Sequence, residues 1–232
     1  MLEEVPWAIN ALFLCSFGLT LVLFYAANGR PKKTILFLMG WSCVLCALAY
    51  NHFFTDTRTF PPHFAVAMVP AALAIVFALQ SRSRGRTEAK RNRAIGTLMH
   101  LIRVPIEIVL FFLFVHGTVP EAMTFAGRNF DVLSGLTAPI VAFLILKGKI
   151  GRKALIAWNG VCVLLVMTVL IIGLFSAEFP FQQFAFDQPN RAVMYFPYIL
   201  LPGIIVPLVI YTHLHDIIVL VKKEDVQQMM YE

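Results

Sequence analysis

The stretch KALIAWNGVCVLLVMTVLIIGLF, residues 153–175, decides the class of fold. After Lys153 it contains no charged side chain. About 20 mostly apolar residues are enough for an α-helix to cross the hydrocarbon core of a bilayer. The stretch therefore predicts a membrane-spanning helix.

The rest of the chain has the same character. Of its 232 residues, 59% are hydrophobic and 14% are charged, and the mean hydropathy is +0.77. Soluble domains are about 45–50% apolar and about 25% charged. The composition therefore excludes a water-soluble domain, which would expose too much apolar surface, and a disordered chain, which would contain too little.

Seven stretches are long and apolar enough to cross a membrane. We therefore predict an all-α fold, with residues 1–232 forming a single bundle of seven transmembrane helices and no soluble domain. The expected spans are about 7–27, 34–54, 63–80, 95–118, 131–147, 153–175 and 193–221.

The distribution of Lys and Arg predicts the orientation, because positively charged connections stay in the cytoplasm. One side of the predicted bundle carries 15 such residues and the other three, Arg58, Arg128 and Arg191. The N-terminus is then outside and the C-terminus inside, and we expect a multi-pass protein of the plasma (inner) membrane. The 15 are Arg30, Lys32, Lys33, Arg82, Arg84, Arg86, Lys90, Arg91, Arg93, Lys147, Lys149, Arg152, Lys153, Lys222 and Lys223.

The basic run at 82–93 needs no nucleic-acid partner. A cluster of this kind beside a membrane helix is attracted to anionic lipid head groups and determines topology. We therefore expect the lipid bilayer as a partner and no nucleic acid.

The fourth span, GTLMHLIRVPIEIVLFFLFVHG at 96–117, carries three polar residues on one helical face. His100, Arg103 and Glu107 are separated by three and four positions, so their side chains project together. A carboxylate near the bilayer centre costs several kcal/mol if it faces lipid. The face therefore points into the bundle, where it predicts a substrate or proton-relay site. The alternative is a buried Arg103–Glu107 ion pair that only fixes helix packing.

Other spans add polar groups to this predicted site. Asn159 lies in the sixth span, and Tyr198 and Tyr211 lie in the seventh. The seventh also contains three closely spaced prolines, Pro197, Pro202 and Pro207, which predict a broken or kinked helix.

The outer connections supply a second group of charged residues. Arg128 and Asp131 precede the fifth span, and Asp187 and Arg191 precede the seventh. These four residues predict an outer mouth, either as a vestibule for a ligand or as ion pairs that tie the two loops together.

Several histidines are candidate metal ligands. His52, His63 and His116 fall at predicted outer helix ends, and His213 and Asp216 share a face near the inner end of the seventh span. Local chelating pairs such as HExxH are missing from the sequence, so we assign no metal and no cofactor. Cys43 and Cys46 form a CxxC, but in the middle of an apolar span they are expected to be packing residues.

These observations favour a transporter or channel-like protein for a small solute or a proton. In that interpretation Arg103 holds an anionic group, Glu107 accepts a proton, and the distorted seventh helix moves. The alternatives are an intramembrane enzyme acting on lipid, metal-dependent or not, and a membrane sensor or accessory subunit. A homo-oligomer is compatible with each of them. A retinal protein is excluded, because the last span has no Lys for a Schiff base.

Overall fold

The computed structural model describes residue 2, residues 4–80 and residues 90–229, with side chains as far as Lys222. The part of the predicted basic connection that contains Arg82, Arg84 and Arg86 lies outside the described residues. All regular structure in the described residues is helical. The helices are α1 (Trp7–Ala27), α2 (Lys32–Tyr50), α3 (Ala65–Gln80), α4 (Arg93–Val115), α5 (Val132–Leu146), α6 (Arg152–Phe175) and α7, a turn Leu201–Ile205 continued by Val206–Met229.

Five of these helices are long and apolar enough to cross a membrane: α1, α2, α4, α6 and α7. The other two apolar helices are shorter, with 16 residues in α3 and 15 in α5. Large apolar side chains cover the outside of the bundle. Phe37 on α2 is 64% exposed, Phe77 on α3 is 69% exposed and Leu164 on α6 is 69% exposed. This apolar exterior is the surface that a lipid environment would cover.

Two of the helices are irregular where proline predicts it. In α4, the segment Met99–Ile102 is a 3₁₀ turn between two α-helical segments, just before Pro105. Pro105 has no N–H to offer the carbonyl of Leu101, so the α-helical ladder cannot continue unchanged at this point. In α7, Pro202 lies within a single π-helical turn, Leu201–Ile205.

The last helix begins later than the predicted span. The residues from 193 to 199 form a 3₁₀ turn and further turns around Pro197, and regular helix begins only at about Leu201. This segment is nevertheless buried. Tyr198, Ile199 and Leu200 belong to the largest fully buried side chains, so α7 and the turns before it form the centre of the core.

Backbone and side-chain contacts identify two ends of the bundle. The N–H of Asn92 bonds to the carbonyl of Ala27, which brings the start of α4 to the end of α1. We call this the basic end. At the opposite end, the carbonyl of Thr118 accepts the N–H groups of Arg191 and Ala192, which joins the end of α4 to the approach to α7. Short connections between consecutive helices are typical of antiparallel neighbours.

Candidate functional site

The centre of the bundle contains a buried ion pair. Nη1 of Arg103, on α4, donates to Oδ1 of Asp131 at 2.6 Å, and both side chains are more than nine-tenths buried. Asp131 precedes the first residue of α5, and α5 begins inside the bundle at the level of Arg103. The sequence predicted Asp131 at an outer mouth and offered an Arg103–Glu107 ion pair as one alternative. The structure instead places Asp131 opposite Arg103, because the short α5 does not reach the opposite end.

A glycine permits this close approach of α5 to α4. A Cβ built on Gly135 would lie 3.0 Å from Cγ2 of Val104 and 3.2 Å from Cβ of Arg103. Small residues at helix contacts allow two backbones to come close together. Gly135 therefore helps to set the distance across which Arg103 and Asp131 pair.

His213 on α7 extends the polar contacts from Arg103 to α6. Its Nε2 lies 3.1 Å from Nη2 of Arg103, and its Nδ1 lies 2.7 Å from Oδ1 of Asn159. Arginine only donates, so Nε2 must accept and the ring must carry its proton on Nδ1. Asn159 completes its own bonding by donating Nδ2 to the carbonyl of Leu155 at 2.8 Å. These contacts define a neutral His213 with a single tautomer.

A second histidine stacks on the first. The rings of His100 and His213 are nearly parallel, at 6°, with centroids 3.7 Å apart, and both residues are fully buried. Trp158 makes edge contacts with both rings. Neither ring nitrogen of His100 has a hydrogen-bond partner among the described residues. The two histidines therefore differ sharply in bonding although they touch.

Glu107 is bonded by a side chain that comes from the connection before α5. Nδ2 of Asn129 donates to Oε1 of Glu107 at 2.5 Å and to the carbonyl of Met123 at 2.9 Å. The N–H of Asp131 in turn donates to Oδ1 of Asn129 at 2.9 Å. Asn129 is not among the site residues predicted from the sequence, because it lies in a predicted outer loop and the sequence does not indicate that this loop enters the bundle. The polar network is Arg103, Glu107, Asn129, Asp131, Asn159 and His213.

A cavity of about 70 Å³ adjoins the polar network. Glu107, Asp131 and Asn190 are polar residues on its wall, and the rest of the lining is apolar. Oε2 of Glu107 and Oδ1 of Asn190 are buried and have no hydrogen-bond partner among the described residues. Asn190 is fixed by its other atom, Nδ2, which donates to the carbonyl of Gly173 at 2.9 Å. Two of the residues that line the cavity thus each have an unpaired acceptor oxygen.

A second buried ionic cluster lies towards the basic end. Nε of Arg91 lies 3.0 Å from Oδ1 of Asp216 on α7, and Nη1 of Arg91 donates to Oδ1 of Asn28 at 2.6 Å. His215 is fully buried beside Asp216, at 3.8 Å. Asp216 lies about one turn after His213 on α7 and is closer to the basic end. The second cluster is therefore next to the polar network along the length of the bundle.

Other predicted site residues lie apart from this network. Tyr198 donates its hydroxyl to Oδ1 of Asn10 at 2.7 Å, and Tyr211 packs against Phe24. Arg128, Asp187 and Arg191 are exposed, and no ion pair joins them in the part of the chain that the structure describes. The predicted outer mouth is therefore not held together by these charges.

The candidate metal ligands are also separated. Nδ1 of His63 contacts the carbonyl of Phe53 at 3.0 Å, Nδ1 of His116 contacts the carbonyl of Phe112 at 2.7 Å, and the ring of His52 packs against Tyr195. His213 belongs to the polar network, whereas Asp216 pairs with Arg91. Within residues 4–80 and 90–229, no three His, Cys, Asp or Glu side chains form a group that would hold a metal ion.

Comparison with known proteins relates the chain to a protein family. No curated protein and no solved structure matches the chain. A family model described as "Domain of unknown function (DUF8737)" matches residues 59–221, which extend from just before α3 to almost the end of the described α7 side chains and include the whole polar network. That match covers well over half of the sequence, and the chain therefore belongs to this family.

Proposed function

We propose that this protein is a multi-pass membrane protein that conducts or transports a small solute with the help of proton binding at Glu107. In this proposal all seven helices lie in the plasma (inner) membrane, with the N-terminus outside and the basic end inside. The five long apolar helices and the apolar exterior support membrane insertion. The excess of Lys and Arg at the basic end supports the orientation.

The observation that carries the proposal is the cavity beside Glu107. Its volume of about 70 Å³ exceeds the roughly 10–15 Å³ that one water molecule needs. Buried polar atoms in folded proteins are nearly always hydrogen-bonded, and exceptions call for an explanation such as a bound water, an ion or a functional role. Two lining residues with an unpaired acceptor, Oε2 of Glu107 and Oδ1 of Asn190, support a ligand that donates hydrogen bonds.

The contacts of Arg103 support a role other than the one predicted from the sequence, which was to hold an anionic group. Both of its terminal nitrogens are already engaged, Nη1 with Asp131 and Nη2 with His213. The charge of Arg103 is balanced by Asp131, so an anionic group would have to compete with Asp131 for it. Nε of Arg103 is buried and has no hydrogen-bond partner among the described residues. We therefore assign Arg103 the task of holding Asp131 and His213 in place, and Glu107 the task of accepting a proton from a water-sized donor in the cavity.

The polar groups also lie in an order suited to a path through the bundle. Glu107, Arg103 and His100 follow each other along α4 towards the basic end, and His213 and Asp216 follow each other along α7 in the same direction. Ionisable residues within membrane helices mark ion and proton pathways by default, because burial in lipid would otherwise select against them. The two buried clusters support a path from the Glu107 cavity towards Arg91 and Asp216.

The proposal predicts that Glu107→Gln abolishes proton movement while the protein remains folded. Glutamine keeps a carbonyl oxygen for Asn129 Nδ2 but cannot bind and release a proton. The purified protein is reconstituted into liposomes that contain a pH-sensitive dye, and proton influx is measured under an imposed membrane potential. We expect influx through the unchanged protein and at least a tenfold loss in Glu107→Gln.

A matched control is Glu121→Gln, which removes a carboxylate from an exposed position in the connection between α4 and α5. Its proton influx should equal that of the unchanged protein. Arg103→Ala should instead unfold readily, since removing one partner of a buried ion pair costs about 3–5 kcal/mol. Absence of influx through the unchanged protein would refute proton conduction by this protein. Full influx through a folded Glu107→Gln variant would refute the role of Glu107 in it.

A further inference from the structure

A second and larger cavity opens on the side of the bundle. It has a volume of about 480 Å³ and lies between α2 and α3, with α7 as its floor. Trp41 on α2, Ala74 on α3 and Gly203 on α7 are among its mostly apolar lining residues. The volume falls within the range of about 300–1,000 Å³ that is typical of small-molecule sites.

The cavity runs along the half of the bundle nearest the basic end. Its lining extends from Thr34 to Trp41 in the first part of α2 and from Pro70 to Ala78 in the last part of α3. At 1.5 Å per residue, eight residues of helix span about 12 Å. This is close to half of a hydrocarbon core of about 30 Å, so in the proposed orientation the cavity lies within the inner leaflet.

One end of the cavity includes polar residues and lies beside a group of positively charged residues in the sequence. Asn28, Pro31 and Thr34 line this end, where α1 connects to α2. Three basic residues are close to this end in the sequence: Arg30 in the same connection, and Lys32 and Lys33 in the first turn of α2. All three are exposed, and none forms an ion pair within the described part of the chain. We call these three residues the basic rim.

We propose that the cavity binds one acyl chain of an anionic phospholipid of the inner leaflet, with its head group at the basic rim. This inference rests on the membrane placement proposed above, but not on proton movement. An acyl chain of the bilayer already lies in hydrocarbon, so the cavity would hold it through close packing against its apolar walls rather than through transfer from water. Lys and Arg side chains attract anionic head groups, and this attraction selects an anionic lipid over a neutral one.

Trp41 provides a direct probe of the occupant. Bromine atoms on an acyl chain quench the fluorescence of a tryptophan that they contact. Detergent-solubilised protein is titrated with phosphatidylglycerol that carries brominated acyl chains, and in parallel with phosphatidylcholine that carries the same chains. The difference between the unchanged protein and Trp41→Phe isolates the signal of Trp41. We expect phosphatidylglycerol to quench it at a concentration at least tenfold lower than phosphatidylcholine.

Two sets of variants separate the cavity from the charges. The triple variant Arg30→Gln, Lys32→Gln, Lys33→Gln should lose the preference for phosphatidylglycerol but keep quenching by both lipids. Its matched control, Lys147→Gln, Lys149→Gln, Lys153→Gln, removes three exposed charges from the connection between α5 and α6 and from the first turn of α6, and should keep the preference. Ala74→Phe fills the cavity and should abolish quenching by both lipids. Ala74 is exposed in the cavity, and Ala78→Leu, at a second exposed position, repeats the test if Ala74→Phe does not fold.

Several outcomes would overturn the proposal. Equal quenching by the two lipids would show that the basic rim does not select the head group. Loss of the preference in the control triple would show that charge attracts lipid to the whole basic end. Unchanged quenching in the folded Ala74→Phe or Ala78→Leu variant would show that no acyl chain occupies the cavity. The same conclusion would follow if the protein self-associates through this face and brominated lipid then fails to quench Trp41. Each outcome is independent of proton influx, so this proposal and the proposed function fail separately.

Discussion

At the scale of single residues, the two stacked histidines illustrate how differently one residue type is used. His213 bonds through both nitrogens, to Arg103 and to Asn159, and so links α4, α6 and α7. His100 touches it face to face, but neither of its nitrogens has a partner among the described residues. The ring of His100 is therefore used for its flat surface, and that of His213 for its hydrogen bonds.

This difference predicts unequal effects of two matched substitutions. His213→Phe keeps the stacking but leaves Nη2 of Arg103 and Oδ1 of Asn159 unpaired, at about 1–3 kcal/mol for each buried group. His100→Phe removes no hydrogen bond within the described residues and should cost less than about 1.5 kcal/mol. The measurement is the free energy of unfolding in detergent micelles, by denaturant titration. Equal losses in the two variants would contradict the hydrogen-bond assignment.

At the scale of secondary-structure elements, α5 determines the geometry of the site. It has 15 residues and begins at the ion pair, so the preceding connection enters the bundle and carries Asn129 to Glu107. Gly135 lies one turn into α5, where its missing side chain makes room for Val104 and Arg103. The position of α5 against α4 thus fixes both the Arg103–Asp131 pair and the Asn129–Glu107 contact.

The close approach predicts that Gly135→Ala destabilises the protein. The added methyl group would push α5 away from α4, and overpacking of this kind costs about 1–3 kcal/mol. Gly160→Ala on α6 is the control, since a Cβ there meets nothing within 4 Å and should stabilise the helix by about 0.5–1 kcal/mol. Both free energies of unfolding are measured as above.

A second substitution tests whether the loss arises from the contact with Val104. The double variant Gly135→Ala, Val104→Ala removes the closest atom and should recover much of the lost stability. The free energy of unfolding of the double variant is compared with the value expected when the losses of the two single variants are added. If it is no higher than that value, the contact with Val104 is not the cause of the destabilisation by Gly135→Ala.

At the scale of the whole molecule, the distribution of charge predicts which end is accessible from outside the cell. In a variant without Cys15, Cys43, Cys46 and Cys162, single cysteines are introduced at exposed positions. Ala126→Cys and Asp187→Cys, at the end opposite the basic one, should react with a membrane-impermeant maleimide in intact cells. Gly151→Cys, at the basic end, should react only after the membrane is permeabilised. Labelling of Gly151→Cys in intact cells would reverse the proposed orientation.

The sequence by itself determined the helical class, the number of helices and the residues that could not face lipid. Long uncharged apolar stretches specify helices through local properties of the chain. The irregular turns of α4 and α7 lie at or near prolines, although Pro70 in α3 and Pro139 in α5 lie within regular helix. Arg103, Glu107, His100 and Asn159 were identifiable because an ionisable or amide side chain within such a stretch must be buried against other polar groups.

Only the tertiary structure decided how these groups are paired. Spacing within α4 suggested Arg103 with Glu107, whereas the observed partners come from other elements: Asp131 from the start of α5, His213 from α7 and Asn129 from a connection. Asn190, on the wall of the small cavity, was not identified from the sequence at all. The depth at which α5 begins depends on packing between helices distant in the chain, and periodicity along one helix carries no information about that depth.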